Sequence, residues 1–278
     1  MGGIYALIAI GIHLVYNATR VINFSQGSLV QLGGVIALSL LLQIKIPMVF
    51  AFTLTFLLAG FLGWVYEKTT IRKASHHGEI SVILVTIGGF IFFEQIIHVF
   101  WGKDEMAFPT LSGEIPIELA GVRILPQSLW VIGIALLIVI VLHLFFSRTI
   151  FGSAILATAE NPVAAKLMGI RPTSVTAASW AISTAIASIA GILIAPITFA
   201  GGTMAAEISL KGFAAAILGG IGSSWGVVLG GFLIGLLEAL TTGYISSAYR
   251  DAITFTLMLL VLLSKPSGIM GTALVKKV

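Results

Sequence analysis

Apolar runs about as long as a bilayer is thick recur from one end of this chain to the other, with most of the charge between them. A spanning helix needs about 20 apolar residues, and in hydrocarbon only helices and closed barrels satisfy their own backbone. Nine segments reach or approach that length: residues 2–16, 28–44, 47–66, 80–101, 128–146, 174–199, 207–221, 225–244 and 250–263. None alternates polar and apolar in blocks of about ten, as barrel strands do. The pattern predicts an all-α, polytopic transmembrane helical bundle of eight or nine spans. The first and seventh segments are short enough to be broken or re-entrant. Only 9% of the 278 residues are charged and 58% are hydrophobic, whereas a soluble domain carries about 25% charge. No soluble stretch or linker interrupts the runs, so residues 1–278 read as a single transmembrane domain.

The basic residues give the orientation. Lys68, Arg72 and Lys73 fall in 67–79; Arg148, Lys166 and Arg171 fall in 147–173; Lys265, Lys276 and Lys277 fall in the tail. The longest loop, 102–127, sets Lys103 and Arg123 against Asp104, Glu105, Glu114 and Glu118. Cytoplasmic loops carry the excess of Lys and Arg. That rule expects loop 147–173 and the C-terminus in the cytoplasm and loop 102–127 outside, which nine spans satisfy. The net charge of +4 is scattered between spans and is this bias, not a nucleic-acid patch. The opening MGGIYALIAIGIHLVYN has no basic n-region or small-residue cleavage site and reads as mature protein.

Several chemistries are excluded. The chain has no cysteine, so it has no disulfide, catalytic thiol or zinc thiolate. No G-x-x-x-x-G-K-[ST] occurs; LGGIGSSWG at 218–226 is Gly-rich but lacks the Lys-Ser/Thr that follows a phosphate loop. His76 and His77 are adjacent in a polar loop and poorly placed to chelate. The expectation is no enzyme, no cofactor and no metal.

Glycine, with 31 residues, concentrates within the spans. Gly222, Gly226 and Gly230 are spaced by four, as are Gly231 and Gly235, and such spacing lets helix backbones approach closely. It fits ordinary packing within one chain, or helices that slide along a path or a subunit interface. Ionisable residues at membrane depth need a partner or a water-filled cavity. Glu94 and Glu238 look that deep, and His98 lies one turn from Glu94. Arg20, Glu207, Lys211, Arg250 and Asp251 lie near span ends, where side chains reach headgroups.

The stretch ATAENPVAAKLMGIRP at 157–172 spells out a short helix between two spans. Asn161 suits the N-cap and Pro162 the first helical position. Gly169 suits the position after the C-cap, and Pro172 blocks continuation. Between them, Val163 with Leu167 and Ala164 with Met168 form i, i+4 pairs. The apolar side is narrow, with small alanines and a single Lys166. A helix lying on headgroups prefers large apolar residues and several basic ones, so a groove on a partner protein is the better receiver.

The string AENPVAAKLMGI resembles the cytoplasmic E-A-A-x(3)-G loop of bacterial ABC importer permeases. Over most of its length the chain resembles the LivH-type permeases of high-affinity branched-chain amino acid importers. The matching strings are IYALIAIGIHLVYNATRVINFSQG (4–27), KGFAAAILGGIGSSWGVVLGGFLIGLLEAL (211–240) and YISSAYRDAITFTLMLLVLLSKPSGIMG (244–271). The resemblance implies a multi-pass inner-membrane permease working with a second homologous permease, two cytoplasmic ABC ATPases and an extracytoplasmic solute-binding protein. It implies that Glu160, Asn161, Pro162, Ala164, Ala165, Leu167 and Gly169 form the ATPase-coupling helix. Asn23, Phe24, Gln26 and Gly27, with Glu94 and Glu238, are candidates for the translocation path. Ser25–Gln26 stands where that family has Ala-His, and Ser153 and Leu156 stand where it has arginines. The substrate class is branched-chain amino acids or related small amides such as urea. Two other functions compete: an ion-coupled secondary transporter using Glu94 or Glu238 without an ATPase, and a membrane scaffold whose loop helix only anchors a partner.

Overall fold

The computed structural model describes residues 1–113, 115–119, 122–201 and 204–271. Each of the nine apolar segments is a helix. In chain order the helices are α1 (Gly2–Thr19), α2 (Gln26–Leu42), α3 (Met48–Tyr66), α4 (Glu79–Trp101), α5 (Pro126–Arg148), α6 (Ile150–Glu160), α7 (Pro162–Leu167), α8 (Pro172–Thr198), α9 (Met204–Gly219), α10 (Ser224–Tyr244) and α11 (Arg250–Ser264). A π-helical turn, Glu67–Ile71, and a further turn, Arg72–Ser75, carry α3 beyond the apolar run. Glu114, Lys276 and Lys277, used above for orientation, lie outside the described residues.

Among the described residues seven helical segments are long and apolar enough to cross a bilayer, the last of them, Ser247–Ser264, reaching that length by joining α11 to the 3₁₀ turn Ser247–Tyr249 before it. The short ones differ in part from expectation. The first segment extends to Thr19 and reaches 18 residues. The second, α2, has 17 residues and α9 has 16, so at 1.5 Å per residue each reaches only about 25 Å. Helix α2 begins beside the buried polar residues Asn23 and Ser25, a stretch that takes up chain a full span would use.

Burial separates an inner set of helices from an outer one. The α1 segment is 78% buried, and the Ser247–Ser264 segment containing α11 is 6% buried. A helix that is apolar on every side is a core helix or a membrane span, and α1 is both. It packs against α8, α9 and α10. Helix α8 in turn receives α2 and α3, and its Ala and Ser residues keep those crossings close. Helices α4, α5 and α11 lie outside, with large apolar side chains such as Phe100, Leu137 and Leu263 exposed.

The α9–α10 crossing uses the predicted glycines. A Cβ on Gly226 or Gly230 would strike the backbone of α9 at Gly219 and Ala215, and one on Gly231 or Gly235 would strike α1 at Ala6 and Gly2. The two series therefore serve two faces of α10. Gly222 departs from the prediction: it lies in the turn before α10 and faces open space. On the side opposite α7, a two-residue antiparallel ladder, β1 (Glu105–Met106) with β4 (Ala200–Gly201), ties the long loop to the end of α8. The hairpin β2 (Ile117–Leu119) and β3 (Val122–Ile124) lies in the same loop.

Candidate functional site

The loop helix α7 forms with the predicted boundaries. The Asn161 side chain accepts from the backbone N–H groups of Val163 (3.1 Å) and Ala164 (3.0 Å), and Pro162 occupies the first position, where no N–H is needed. At the other end Gly169 has φ +86°. Its N–H donates to the Lys166 carbonyl (3.1 Å), and that of Ile170 donates to the Ala165 carbonyl (3.0 Å). This pair of bonds is a Schellman motif, which needs the left-handed residue that glycine supplies. Both ends of a helix of six residues are thus closed by local bonds.

Val163, Leu167 and Met168 are 69%, 84% and 83% exposed. Ala164 is exposed beside them, whereas Ala165 turns inward and is buried. The apolar face is therefore free of the chain's own core, and Ala165 supports it from behind. Helix α6 leads into this elbow, capped by the Thr149 hydroxyl accepting from Gly152 N–H at 2.9 Å. Arg20, at the end of α1, reaches across to the last turn of α6. Its Nε and Nη2 both donate to the Ala159 carbonyl, at 3.0 and 2.6 Å. Arg20 itself holds a left-handed backbone, φ 59°, with its N–H closing onto the Tyr16 carbonyl. Glu160 and Arg20 share the wall of an open cavity of about 720 Å³.

Two helical turns inside Arg20, α1 makes a second polar link. His13 is buried and bonds through Nδ1 to the Ile221 carbonyl (2.5 Å). That carbonyl can only accept, so the ring proton is on Nδ1 and Nε2 accepts from Ser224 Oγ (2.8 Å) and Asn17 Nδ2 (3.0 Å). These bonds fasten α1 to the turn between α9 and α10. Sequence reasoning passed over His13, Asn17 and Ser224. A polar side chain within an apolar span was the signal that could have found them.

The candidate path residues lie inside the subunit. Asn23 Oδ1 accepts from Ser25 N–H (3.0 Å) and Ser25 Oγ (2.6 Å), and Asn23 Nδ2 donates to Gln26 Oε1 (3.1 Å). Ser183 of α8 donates to the Gly11 carbonyl of α1 at 2.8 Å and lies 3.1 Å from Gln26 Oε1. Phe24 meets Phe213 at 5.5 Å between ring centres, and Gly27 faces α9 so closely that a Cβ would clash with Ala205 and Ser209. This knot joins α1, α2, α8 and α9. None of Asn23, Phe24, Gln26, Gly27, Glu94 or Glu238 lines the open cavities of about 650 and 720 Å³.

Glu238 has the partner its depth demanded, and the partner corrects the reading of Lys211. Lys211 does not reach headgroups: it is buried, 2.8 Å from Glu238 and 3.0 Å from Asp251. The Tyr5 hydroxyl donates to Glu238 at 2.7 Å, and Arg250 lies 3.3 Å from Asp251. Asp251 and Arg250 are thus paired ions, and the cluster binds α1, α9, α10 and α11 together. Glu94 is half-buried on α4, away from this cluster, and Glu207 is exposed.

Span-length helices with ion pairs sealed between them, and one capped elbow held outside the bundle, define a multi-pass membrane protein. Residues 1–262 match the family described as branched-chain amino acid transport system / permease component, and the chain belongs to that family. It is 30% identical to the high-affinity branched-chain amino acid transport system permease protein LivH of Escherichia coli K12, over all of this chain and 94% of that protein. It is 32% identical to the corresponding protein BraD of Pseudomonas aeruginosa, over all of this chain and 95% of that one. A probable branched-chain amino acid transport permease, LivH of Methanocaldococcus jannaschii, is 31% identical over 95% of this chain. No solved structure matches the chain.

Proposed function

We propose that this chain is one membrane-spanning half of an ATP-driven importer of branched-chain amino acids, and that α7 is the element through which the ATPase drives it. ATP hydrolysis takes place on two cytoplasmic ATPase subunits. A second, homologous permease completes the pathway, and an extracytoplasmic binding protein delivers the substrate. Basic loop 147–173 and the C-terminus face the cytoplasm, and the protein resides in the inner membrane of a bacterial host.

One observation carries the coupling role. Helix α7 is closed at both ends and presents Val163, Leu167 and Met168 away from its own core. A shape fixed by two caps transmits a displacement, whereas a frayed turn absorbs it. Glu160 accepts a hydrogen bond or salt bridge from the ATPase, Ala164 and Leu167 fill its groove, and Gly169 makes the exit turn. From there Ala159 and Arg20 lead to α1, and His13 leads from α1 to the α9–α10 turn. Closure of the ATPase pair would rock α1 and α10 and expose the pathway first to the binding protein, then to the cytoplasm. The Asn23–Gln26 knot and the Glu238 cluster hold the helices in register during that motion.

Ala164→Arg tests the assignment. Ala164 is exposed, so the protein still inserts, and burying a guanidinium in the ATPase groove weakens docking roughly thirtyfold, the cost of about 2 kcal/mol typical of a central interface residue. Co-purification of an ATPase with the wild type and its loss from the variant is the expected result. Intact uptake with normal substrate-stimulated ATP hydrolysis in the variant would sink the reading. Solute movement in liposomes by the chain alone, without ATP, would replace it with a secondary transporter.

A further inference from the structure

Between α3 and α8 the surface is hollowed into an open groove of about 650 Å³. Its walls include Phe56 and Trp64, and its floor includes Gly60, Ala178 and Ala181. Small side chains on α8 leave the room, and large ones on α3 form the rim. Phe56, Gly60 and Trp64 are four residues apart, so the apolar part follows one face of α3 for about 12 Å. That length is close to one leaflet's share of a hydrocarbon core about 30 Å thick.

The groove changes character at one end. Lys68 lies one turn beyond Trp64, and Arg72 one turn beyond that; both line it. The π-helical turn Glu67–Ile71 falls at this junction. Arg72 is already committed: it pairs with buried Glu67 at 2.8 Å and donates to the Thr173 carbonyl at 3.3 Å. Lys68 is exposed, makes no ion pair among the described residues, and rests 4.7 Å from the centre of the Trp64 ring. With Glu67 neutralised by Arg72, the positive charge of Lys68 and neighbouring Lys73 is uncompensated. A tryptophan with basic residues one turn outside it marks headgroup depth.

We propose that this groove is a binding site for an anionic phospholipid, with an acyl chain along Phe56–Trp64 and the phosphate at the Lys68 ammonium, at the basic end of the groove. Basic pockets between spans are where anionic headgroups bind, and an acyl chain supplies the apolar contact that a free phosphate lacks. The site lies on the same side of the bundle as α7, through the Arg72–Thr173 bond at the start of α8. It would fix the α3–α8 pair to that leaflet. The inference is independent of the coupling role proposed for α7.

The protein, with whatever native subunits accompany it, is purified in mild detergent, delipidated and titrated with phosphatidylglycerol or phosphatidylcholine while bound lipid is counted by native mass spectrometry. Phosphatidylglycerol should bind at one site per chain in preference to phosphatidylcholine. Lys68→Gln should weaken it about fivefold and Lys68→Glu roughly thirtyfold, from about 1 kcal/mol per basic charge. Ala178→Phe, which fills the floor, should abolish the site for either lipid. Equal binding of the two lipids, or wild-type affinity in Lys68→Glu, overturns the proposal. So does efficient cross-linking of Leu57→Cys to another membrane subunit, which would make the groove a helix–helix interface.

Discussion

Lys211 sits near the middle of α9 with its side chain buried and its ammonium between buried Glu238 and exposed Asp251. Such an arrangement does not by itself favour folding, because taking the ions out of water costs as much as their attraction returns. Breaking it from one side is another matter. Lys211→Met leaves Glu238, among the described residues, with the Tyr5 hydroxyl, a guanidinium 3.9 Å away and the N-terminal ammonium of Met1 nearby, and the expected loss is about 3–5 kcal/mol. The double variant Lys211→Met with Glu238→Gln removes both ions and should recover most of that loss. Thermal unfolding of the three proteins in one detergent measures it. A double variant no more stable than Lys211→Met would mean that the cluster stabilises through something other than charge pairing. The sequence could not reveal this pairing. Lys211 and Glu238 are 27 positions apart and Tyr5 is farther still, and a lysine near a span end says nothing about which way its helix turns.

Helix α7 was legible for the opposite reason: Asn161, Pro162 and Gly169 act on their own neighbours, so their positions alone determine where the helix starts and stops. What they do not determine is its connection to the bundle, which depends on Arg20, 139 residues from Ala159. Two substitutions separate shape from connection. Asn161→Ala removes the cap bonds to Val163 and Ala164 and should cost about 1 kcal/mol locally, fraying α7 and reducing uptake without expelling the ATPase. Arg20→Gly keeps the left-handed backbone, which glycine adopts freely, and deletes the two bonds to the Ala159 carbonyl together with the guanidinium's contact on the Tyr16 ring, 5.8 Å from its centre. The ATPase should still co-purify with Arg20→Gly, and its basal hydrolysis should persist. Stimulation by the loaded binding protein should fall several-fold, and Arg20→Lys should restore part of it. Normal stimulation in Arg20→Gly would show that movement of α6 reaches α1 by another route. The short lengths of α2 and α9 were only half visible, since the polar residues that open α2 could equally have been the last turn of a longer span.

At the scale of the whole molecule, burial grades from α1 outward, so the bundle is organised around its first helix. This ordering follows from the sequence only in hindsight: α1 and α4 are both apolar runs with a polar pair one turn apart, His13 with Asn17 and Glu94 with His98, and that pattern does not tell the buried one from the lipid-facing one. The orientation of the bundle is a separate matter, decided by where Lys and Arg accumulate. The absence of cysteine makes that orientation directly measurable, because any introduced thiol is unique in the chain. Leu167→Cys and Ser112→Cys are suitable probes, since both positions are exposed and lie in loops of opposite charge balance. A membrane-impermeant maleimide added to intact spheroplasts should label Ser112→Cys and leave Leu167→Cys unmodified. Permeabilisation should expose Leu167→Cys, and the ATPase should protect it when bound, because the same side chain is proposed to fill its groove. Labelling of Leu167→Cys from outside would invert the bundle and remove α7 from any contact with a cytoplasmic ATPase. Protection that persists in Ala164→Arg would mean that something other than the ATPase, such as the headgroup layer, covers the helix.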